Sequence, residues 1–343
     1  MSRLLRPPTT LRSVGREVLV FREADVRAAL DMPSLIDAVE RAFVAYSGGR
    51  AELPGVIHLD VPERRGEIHV KAGHLHGGSH YAVKMASGFY GLDPPAIDGM
   101  LVVFDATTGA PAALLLDNGF VTDARTGAAG GVVARHLAPA ATRNVAVIGT
   151  GGQARHQLDA LAVTRPDFHE VRVWGRNRAH AARCVEDLRV RPGLPEGCTF
   201  GVAETVQEAV AGADVVITCT ASREPLVRAE WLAPGTHVTA LGSDGVDKQE
   251  LDVGVLARAD LFVVDSRTQC AQIGELHHAL DAEIVLLPDD VTELGEICAD
   301  LKPGRTSEEQ LTVCDLTGVG VQDVAAAQLV LERAGASIER IAL

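Results

Sequence analysis

The residues Gly149-Thr150-Gly151-Gly152-Gln153-Ala154 carry the spacing of a dinucleotide-binding turn. In such a turn the first glycine permits a tight bend and the second lets backbone approach a pyrophosphate. The small sixth residue allows the following helix to pack close to the preceding strand. A lone glycine pattern says little, but here Arg143–Ile148 supplies a short apolar run before it and a helical stretch follows. We therefore read Gly149, Gly151, Gly152, Gln153 and Ala154 as cofactor-binding. A second strand over Val171–Trp174 normally ends in an acid that accepts from the adenosine ribose of NAD. Here it ends in Arg176-Asn177-Arg178, cations and an amide that suit a 2′-phosphate, so NADP(H) is favoured. The alternative is a solvated loop, with NAD(H) held by backbone alone.

Two further cations stand out. In the segment "LLLDNGFVTDARTGAAGGVVARHLA", Thr122 or Asp123 is expected to cap a helix running to about Leu137. Arg125 then falls in the first turn, where the helix dipole disfavours a cation. It is either solvated or placed there to meet an anion that the helix terminus also attracts. Lys84 sits in Tyr81–Ala86, where alternation puts Tyr81, Val83 and Met85 on one face and Ala82, Lys84 and Ala86 on the other. Periodicity alone makes Lys84 an exposed edge lysine.

The elements that must position these groups are legible in outline. Asp31 and Pro33 precede Leu35, Ile36, Val39, Phe43 and Tyr46, a helical stripe that stops at Gly48-Gly49. Glu67–Leu75 and Tyr81–Ala86 read as strands. Gly99–Phe104 and Ala112–Leu116 flank Thr107-Thr108-Gly109 and read as a hairpin. Beyond the glycine turn, strand-like runs at Val215–Cys219, His237–Leu241, Leu261–Val264 and Leu311–Cys314 alternate with helical stretches, the signature of a doubly wound parallel sheet. The fold class is α/β.

With 343 residues, the chain has room for about two domains. Its formal charge of −14 argues against nucleic acid or an anionic membrane as partner. No apolar run approaches the roughly 18 residues of a membrane span. The closest two of the six cysteines, Cys184 and Cys198, lie 14 residues apart. That excludes zinc-type spacing and a disulfide framework, and implies a reduced, cytoplasmic protein. Residues 1–16 hold Arg3, Arg6, Arg12, Arg16 and no acid. They read as a flexible arm whose composition overlaps that of a transit peptide. His74, His76 and His80, and the pair His277-His278, lack the spacing of a metal site and read as loop or dimer-surface polarity; no metal is expected.

Three segments together, "LLLDNGFVTDARTGAAGGVVARHLA", "HVTALGSDGVDKQELD" and "LTVCDLTGVGVQDVAAAQLVLE", resemble the ornithine cyclodeaminase/mu-crystallin family. The similarity runs from about Phe21 to the C-terminus. "GELHHAL" and "LLLDNG" are closest to its ectoine-utilisation branch, and "DKQELD" and "TGVGVQD" are similar to members that reduce iminosuccinate. The resemblance implies a Rossmann domain over 140–317, inserted into a substrate-binding and dimerisation domain of 17–139 plus 318–343, and a homodimer. It assigns Lys84 and Arg125 to the substrate α-carboxylate, against the edge-lysine reading, and gives Lys84 and Asp244 catalytic roles. Asp244 would be the acid/base, in the crevice where the strands' carboxyl ends lie. Thr220, Ala221, Ser222 and Gly318 would line the cofactor channel. One clamp residue departs from the family. Where cyclodeaminases have Pro-x-Arg, this chain has Pro54-Gly55-Val56, which disfavours ornithine and leaves His58 or Lys71 as stand-ins.

Three functions follow from the resemblance. The first is an NAD(P)-dependent imine or ketimine reductase of an α-imino acid, in amino-acid or ectoine catabolism. The second is a cyclodeaminase that releases ammonia from a diamino acid and recycles its hydride. The third is a crystallin-like NADPH-binding protein, which would have no need of Asp244.

Overall fold

The computed structural model describes residues 17–92, 96–285 and 287–342; the arm read over 1–16 lies outside them. The chain first lays down β1 (Glu17–Arg22), α1 (Glu23–Ala29), α2 (Met32–Ser47), β2 (Ala51–Glu52), β3 (Ile57–Val61), β4 (Gly66–Leu75), β5 (His80–Phe89), β6 (Ala96–Asp105), β7 (Pro111–Leu116) and α3 (Phe120–Leu137). Helix α2 starts and stops where its sequence says. The Asp31 carboxylate accepts from the Ser34 N–H at 2.9 Å, a cap worth about 1 kcal/mol, and Gly48 ends it. Leu35, Ile36, Val39 and Phe43 are buried along its inner stripe. Between β6 and β7, Asp105 accepts from the N–H groups of Thr107 and Thr108, and Gly109 takes φ 69°.

A parallel sheet follows: β8 (Asn144–Ile148), α4 (Gly152–Thr164), β9 (Glu170–Trp174), α5 (Arg178–Arg189), β10 (Thr199–Val202), α6 (Val206–Val210), β11 (Val215–Thr218), β12 (His237–Ala240), α7 (Val253–Arg258), β13 (Leu261–Val264), α8 (Arg267–Cys270), α9 (Glu275–Asp281), β14 (Thr292–Glu293), α10 (Leu294–Cys298) and β15 (Thr312–Asp315). Its order is β10-β9-β8-β11-β12-β15-β13-β14, all parallel. The doubly wound α/β reading is correct. Strands β10 and β14 are short and were invisible to periodicity. The last strand of this sheet, β15, inserts between β12 and β13, an order that no local signal encodes.

The chain then returns to the first sheet through α11 (Gly320–Glu332) and β16 (Glu339–Ala342). That sheet runs β16-β1-β7-β6-β5-β4-β2, with β3 also on β4. Helix α11 is buried on nearly every side and packs on α2, α3, β4 and β5. Helix α3 lies against both α4 and α2; Gly127, Gly130 and Gly131 stand where a methyl group would collide with His156, Gln157 and Ile36. Among the described residues no helix is long and apolar enough to cross a membrane.

Candidate functional site

Strand β5 is flanked on both sides by β4 and β6, so Lys84 is no edge residue. It is 2% exposed, because the face of small residues that carries it turns inward. Lys71 on β4 is its register partner and is buried too. Arg125 joins them from α3, but not from its first turn. Asn118 and Gly119 adopt positive φ, the Asp117 carboxylate accepts from the Val121 N–H at 2.7 Å, and Gly119 is the cap. The helix therefore begins at Phe120 rather than at Thr122 or Asp123, and Arg125 lies in its second turn, buried. The helix-dipole argument for its placement fails. What holds Arg125 is a side chain.

That side chain is Asp323 on α11. Its Oδ1 accepts from Lys84 Nζ and from Arg125 Nε, each at 3.0 Å, while Oδ2 is buried without a partner among the described residues. Gln322 accepts from the other arm of the Arg125 guanidinium. Among the described residues, Lys71 pairs with no carboxylate. Its Nζ donates to the carbonyls of Thr317 and Gly318 at 3.2 and 2.7 Å. Burial and the neighbouring Arg125 push the Lys84 ammonium down to about 7, and they lower Lys71 as well. Burial works to raise the Asp323 carboxyl, but Arg125 and Lys84 outweigh it and hold it low. Lys84 and Arg125 thus share one buried carboxylate while Lys71 beside them rests on carbonyls, an arrangement short of negative charge.

Lys71, Lys84, Arg125, Gln153, Asp244 and Gly318 line one cavity of about 200 Å³. Asp244, half-buried in the loop after β12, pairs with Lys248 Nζ at 2.7 Å. Lys248 reaches Glu67 at 3.2 Å, and the Tyr90 hydroxyl donates to the same Glu67 oxygen. Burial acts to raise the Asp244 carboxyl, but the Lys248 ammonium prevails and keeps it below the ordinary aspartate value. Gly318 must be glycine. Its φ is 77°, and a Cβ would stand 2.7 Å from Arg125 Nη1.

The dinucleotide turn fits its expected ligand. Gly149 has φ 136°, and a Cβ there would sit 2.5 Å from Cys219 Sγ, whereas at Gly151 it would meet open space. Helix α4 begins there without a side-chain cap, leaving first-turn N–H groups free for a phosphate. Gln153 donates to Asp123 Oδ1 at 2.9 Å, and Ala154 is fully buried. Past β9, the Asn177 side chain caps α5 by accepting from Ala179 and His180, and Arg178 pairs with Glu204. Arg176 is exposed and, among the described residues, forms no ion pair. Thr220 donates through N and Oγ1 to Glu250 Oε1 at 2.6 and 2.7 Å, and Gly242 N donates to Oε2 at 2.8 Å. One buried carboxylate thereby ties the Thr220–Ser222 loop to the loop that carries Asp244. Of the clustered histidines, His278 Nε2 lies 2.8 Å from the Lys248 carbonyl and His74 Nδ1 3.4 Å from that of His80.

Sequence reasoning missed Asp323, Glu67, Lys248 and Glu250. Asp323 had a signal, as an acid in the apolar body of helix α11, whose other acid, Glu332, closes the helix.

Comparison with known proteins bears on the family and the fold. The profile of the ornithine cyclodeaminase/mu-crystallin family matches residues 16–337. The chain belongs to that family. It is 41% identical over 322 residues to a putative dehydrogenase of Rhizobium meliloti, covering 93% of this chain and 96% of that one. Among solved structures it is similar to an archaeal alanine dehydrogenase dimer with bound NAD, with a TM-score of 0.85 and 34% identity, over 95% and 99% of the two chains. It is also similar to the Thermococcus litoralis Δ1-pyrroline-2-carboxylate reductase in complex with NADH and L-proline, with a TM-score of 0.84 and 29% identity, over 92% and 97%. Like other members of the family, the chain is an enzyme, an oxidoreductase with a Rossmann fold.

Proposed function

We propose that the protein is an α-imino acid reductase. The observation that carries this reading is the convergence of Lys71, Lys84 and Arg125 with Asp244 on one small cavity, at the carboxyl ends of the parallel strands. The surplus positive charge receives the α-carboxylate, and Lys71 supplies the third cation that Val56 does not. Asp244, held ionised by Lys248, faces the nitrogen as the counter-charge of an iminium. A reduced nicotinamide, when bound, supplies hydride to the C=N carbon. Gly149, Gly151, Gly152, Gln153 and Ala154 hold its pyrophosphate, and Thr220, Ala221, Ser222 and Gly318 border its inner half.

Turnover stoichiometry tests the reading. With Δ1-pyrroline-2-carboxylate or iminosuccinate as probe, one equivalent of reduced nicotinamide disappears per amino acid formed. Ammonia released from a diamino acid with no net change in nicotinamide absorbance would make the protein a cyclodeaminase instead. We infer further that the cofactor is NADPH, gripped at its 2′-phosphate chiefly by Arg176, since Asn177 and Arg178 have other partners. NADPH then binds at least about tenfold more tightly than NADH, and Arg176→Asp reverses the ranking by exchanging a cation for an anion. Fluorescence titration at fixed ionic strength measures both; equal affinities in the parent protein would remove the phosphate contact.

We also propose a homodimer. The outward face of the first sheet carries a row of register partners, Ile57, Val70, Met85 and Met100. Ile57 and Met85 are 63% and 43% exposed, and Leu59 beside them is 54% exposed. An apolar face of this kind is ordinarily covered in a soluble protein. Met85→Glu is expected to yield monomers in sedimentation equilibrium; an unchanged dimer would put the interface elsewhere.

A further inference from the structure

Reduction of a C=N bond consumes a proton as well as a hydride. Each turnover joins C=N, hydride and H⁺ into CH–NH, so one proton must enter from water while substrate fills the cavity. Asp244 is ionised beside Lys248 and does not carry that proton at neutral pH. We propose that His69 delivers the proton and is recharged from solvent through His58. This rests on the reductase reading of the same site.

His69 lies on β4 between Glu67 and Lys71, two residues from each, so its ring shares their inward face. It lines the inner cavity together with Asp244, and both also line an outer cavity of about 540 Å³ that adjoins it. Its Nε2 is buried and, among the described residues, has no hydrogen-bond partner, a polar atom left for a ligand. Across the β3–β4 pairing, His58 is its register partner, and the two ring centroids are 4.6 Å apart. His58 Nε2 lies 2.9 Å from Asp60 Oδ1, and these two side chains are 44% and 65% exposed. Imidazoles therefore lead from the reacting nitrogen to solvent, with a carboxylate at the wet end to stabilise a charged His58.

Groups facing His69 from its surroundings are Asp244, Lys71, Glu67 and His58. Burial, with Lys71 and His58 adding to it, outweighs Asp244 and Glu67, so the His69 pKa lies below the ordinary imidazole value. In the step itself, the N–H bond of protonated His69 breaks as the substrate N–H bond forms. Neutral His69 then takes a proton from His58, which takes one from water. Imidazole suits the task because it exchanges protons near neutrality, and the burial that lowers the pKa of His69 makes its protonated ring the readier donor.

The test compares the parent protein with His69→Gln and His58→Asn, using Δ1-pyrroline-2-carboxylate and iminosuccinate as probes and nicotinamide binding as a check of folding. His69→Gln is expected to lower kcat about 30-fold or more with KM within about threefold, in the range general acid catalysis contributes. Free imidazole should restore part of the loss. His58→Asn should lower kcat about threefold to tenfold and enlarge the solvent deuterium effect. A His69→Gln variant that keeps more than a third of kcat, or whose loss is wholly in KM, would overturn the relay. An independent arm follows the His69 ring by NMR through a pH titration of the ligand-free protein. Asp244→Asn should lower its midpoint and His58→Asn should raise it, and a midpoint indifferent to both overturns the relay. Should the parent protein reduce neither probe, the reductase reading fails, and the NMR arm still decides whether these groups communicate.

Discussion

Asp244→Asn is expected to lower kcat by about 10²–10³-fold while cofactor affinity stays within a few-fold, because the side chain serves the charge on the substrate nitrogen and holds no phosphate. The structure explains why an isosteric amide should fail. Asp244 lies 2.7 Å from Lys248 and is thereby kept as a carboxylate. Asparagine fills the same space but cannot balance an iminium charge, and it leaves Lys248 with Glu67 as its remaining anion. Loss of catalysis should therefore appear in kcat and kcat/KM together, as for an interaction strongest in the transition state. Nicotinamide titration on the same preparation checks that the fold is intact. A variant retaining more than about a tenth of kcat would remove Asp244 from the chemistry.

Arg125→Ala is expected to raise KM more than tenfold, since a charge-assisted contact to a carboxylate is worth about 1.5–3 kcal/mol. It should also lower Tm, because Asp323 and Gln322 lose a buried partner and breaking a buried ion pair typically costs about 3–5 kcal/mol. Lys71→Ala should raise KM by a comparable factor with a smaller loss of Tm, as Lys71 is anchored only on two carbonyls. The pH dependence follows from Lys84. Its pKa in the protein is about 7, below its ordinary value, so the ammonium is present below pH 7 and is lost as pH rises through it. Asp323 is held low and stays ionised across that range. Hence kcat/KM should fall on the alkaline side with a component whose midpoint is near 7, and Lys84→Met should remove that component while the fall set by His69 remains. A flat profile between pH 6 and 9, or a Lys71→Ala variant with unchanged KM, would mean that the carboxylate is held elsewhere.

Much of this site was legible because its parts obey local rules. The glycine turn follows from backbone sterics, helix α2 from its cap and stripe, and the alternating runs from the two-residue period of strands. Those signals place the dinucleotide turn, but for Arg125 they left solvent or an anion open, from a helix start that the structure puts elsewhere. They could not name the anion. Asp323 is 198 residues from Arg125 and 239 from Lys84, so the triad exists only once α11 returns to the first sheet. The same applies to Lys84 itself. Alternation states which residues share its face but not which face is inside, and the edge reading fell once β4 and β6 were seen on either side of β5.

By itself, then, the sequence determined the α/β class, the parallel sheet and its nucleotide turn, and the family, because each depends on patterns spanning at most a few tens of residues. The tertiary structure alone decided which charges meet. It set Lys71 against Lys84, put Asp323 between Lys84 and Arg125, and bound Asp244 to Lys248 beside Glu67. Burial then moved Lys84 to a pKa at which its charge answers to pH. Charge pairing and desolvation depend on distance and on excluded water, and neither exists until remote elements have packed.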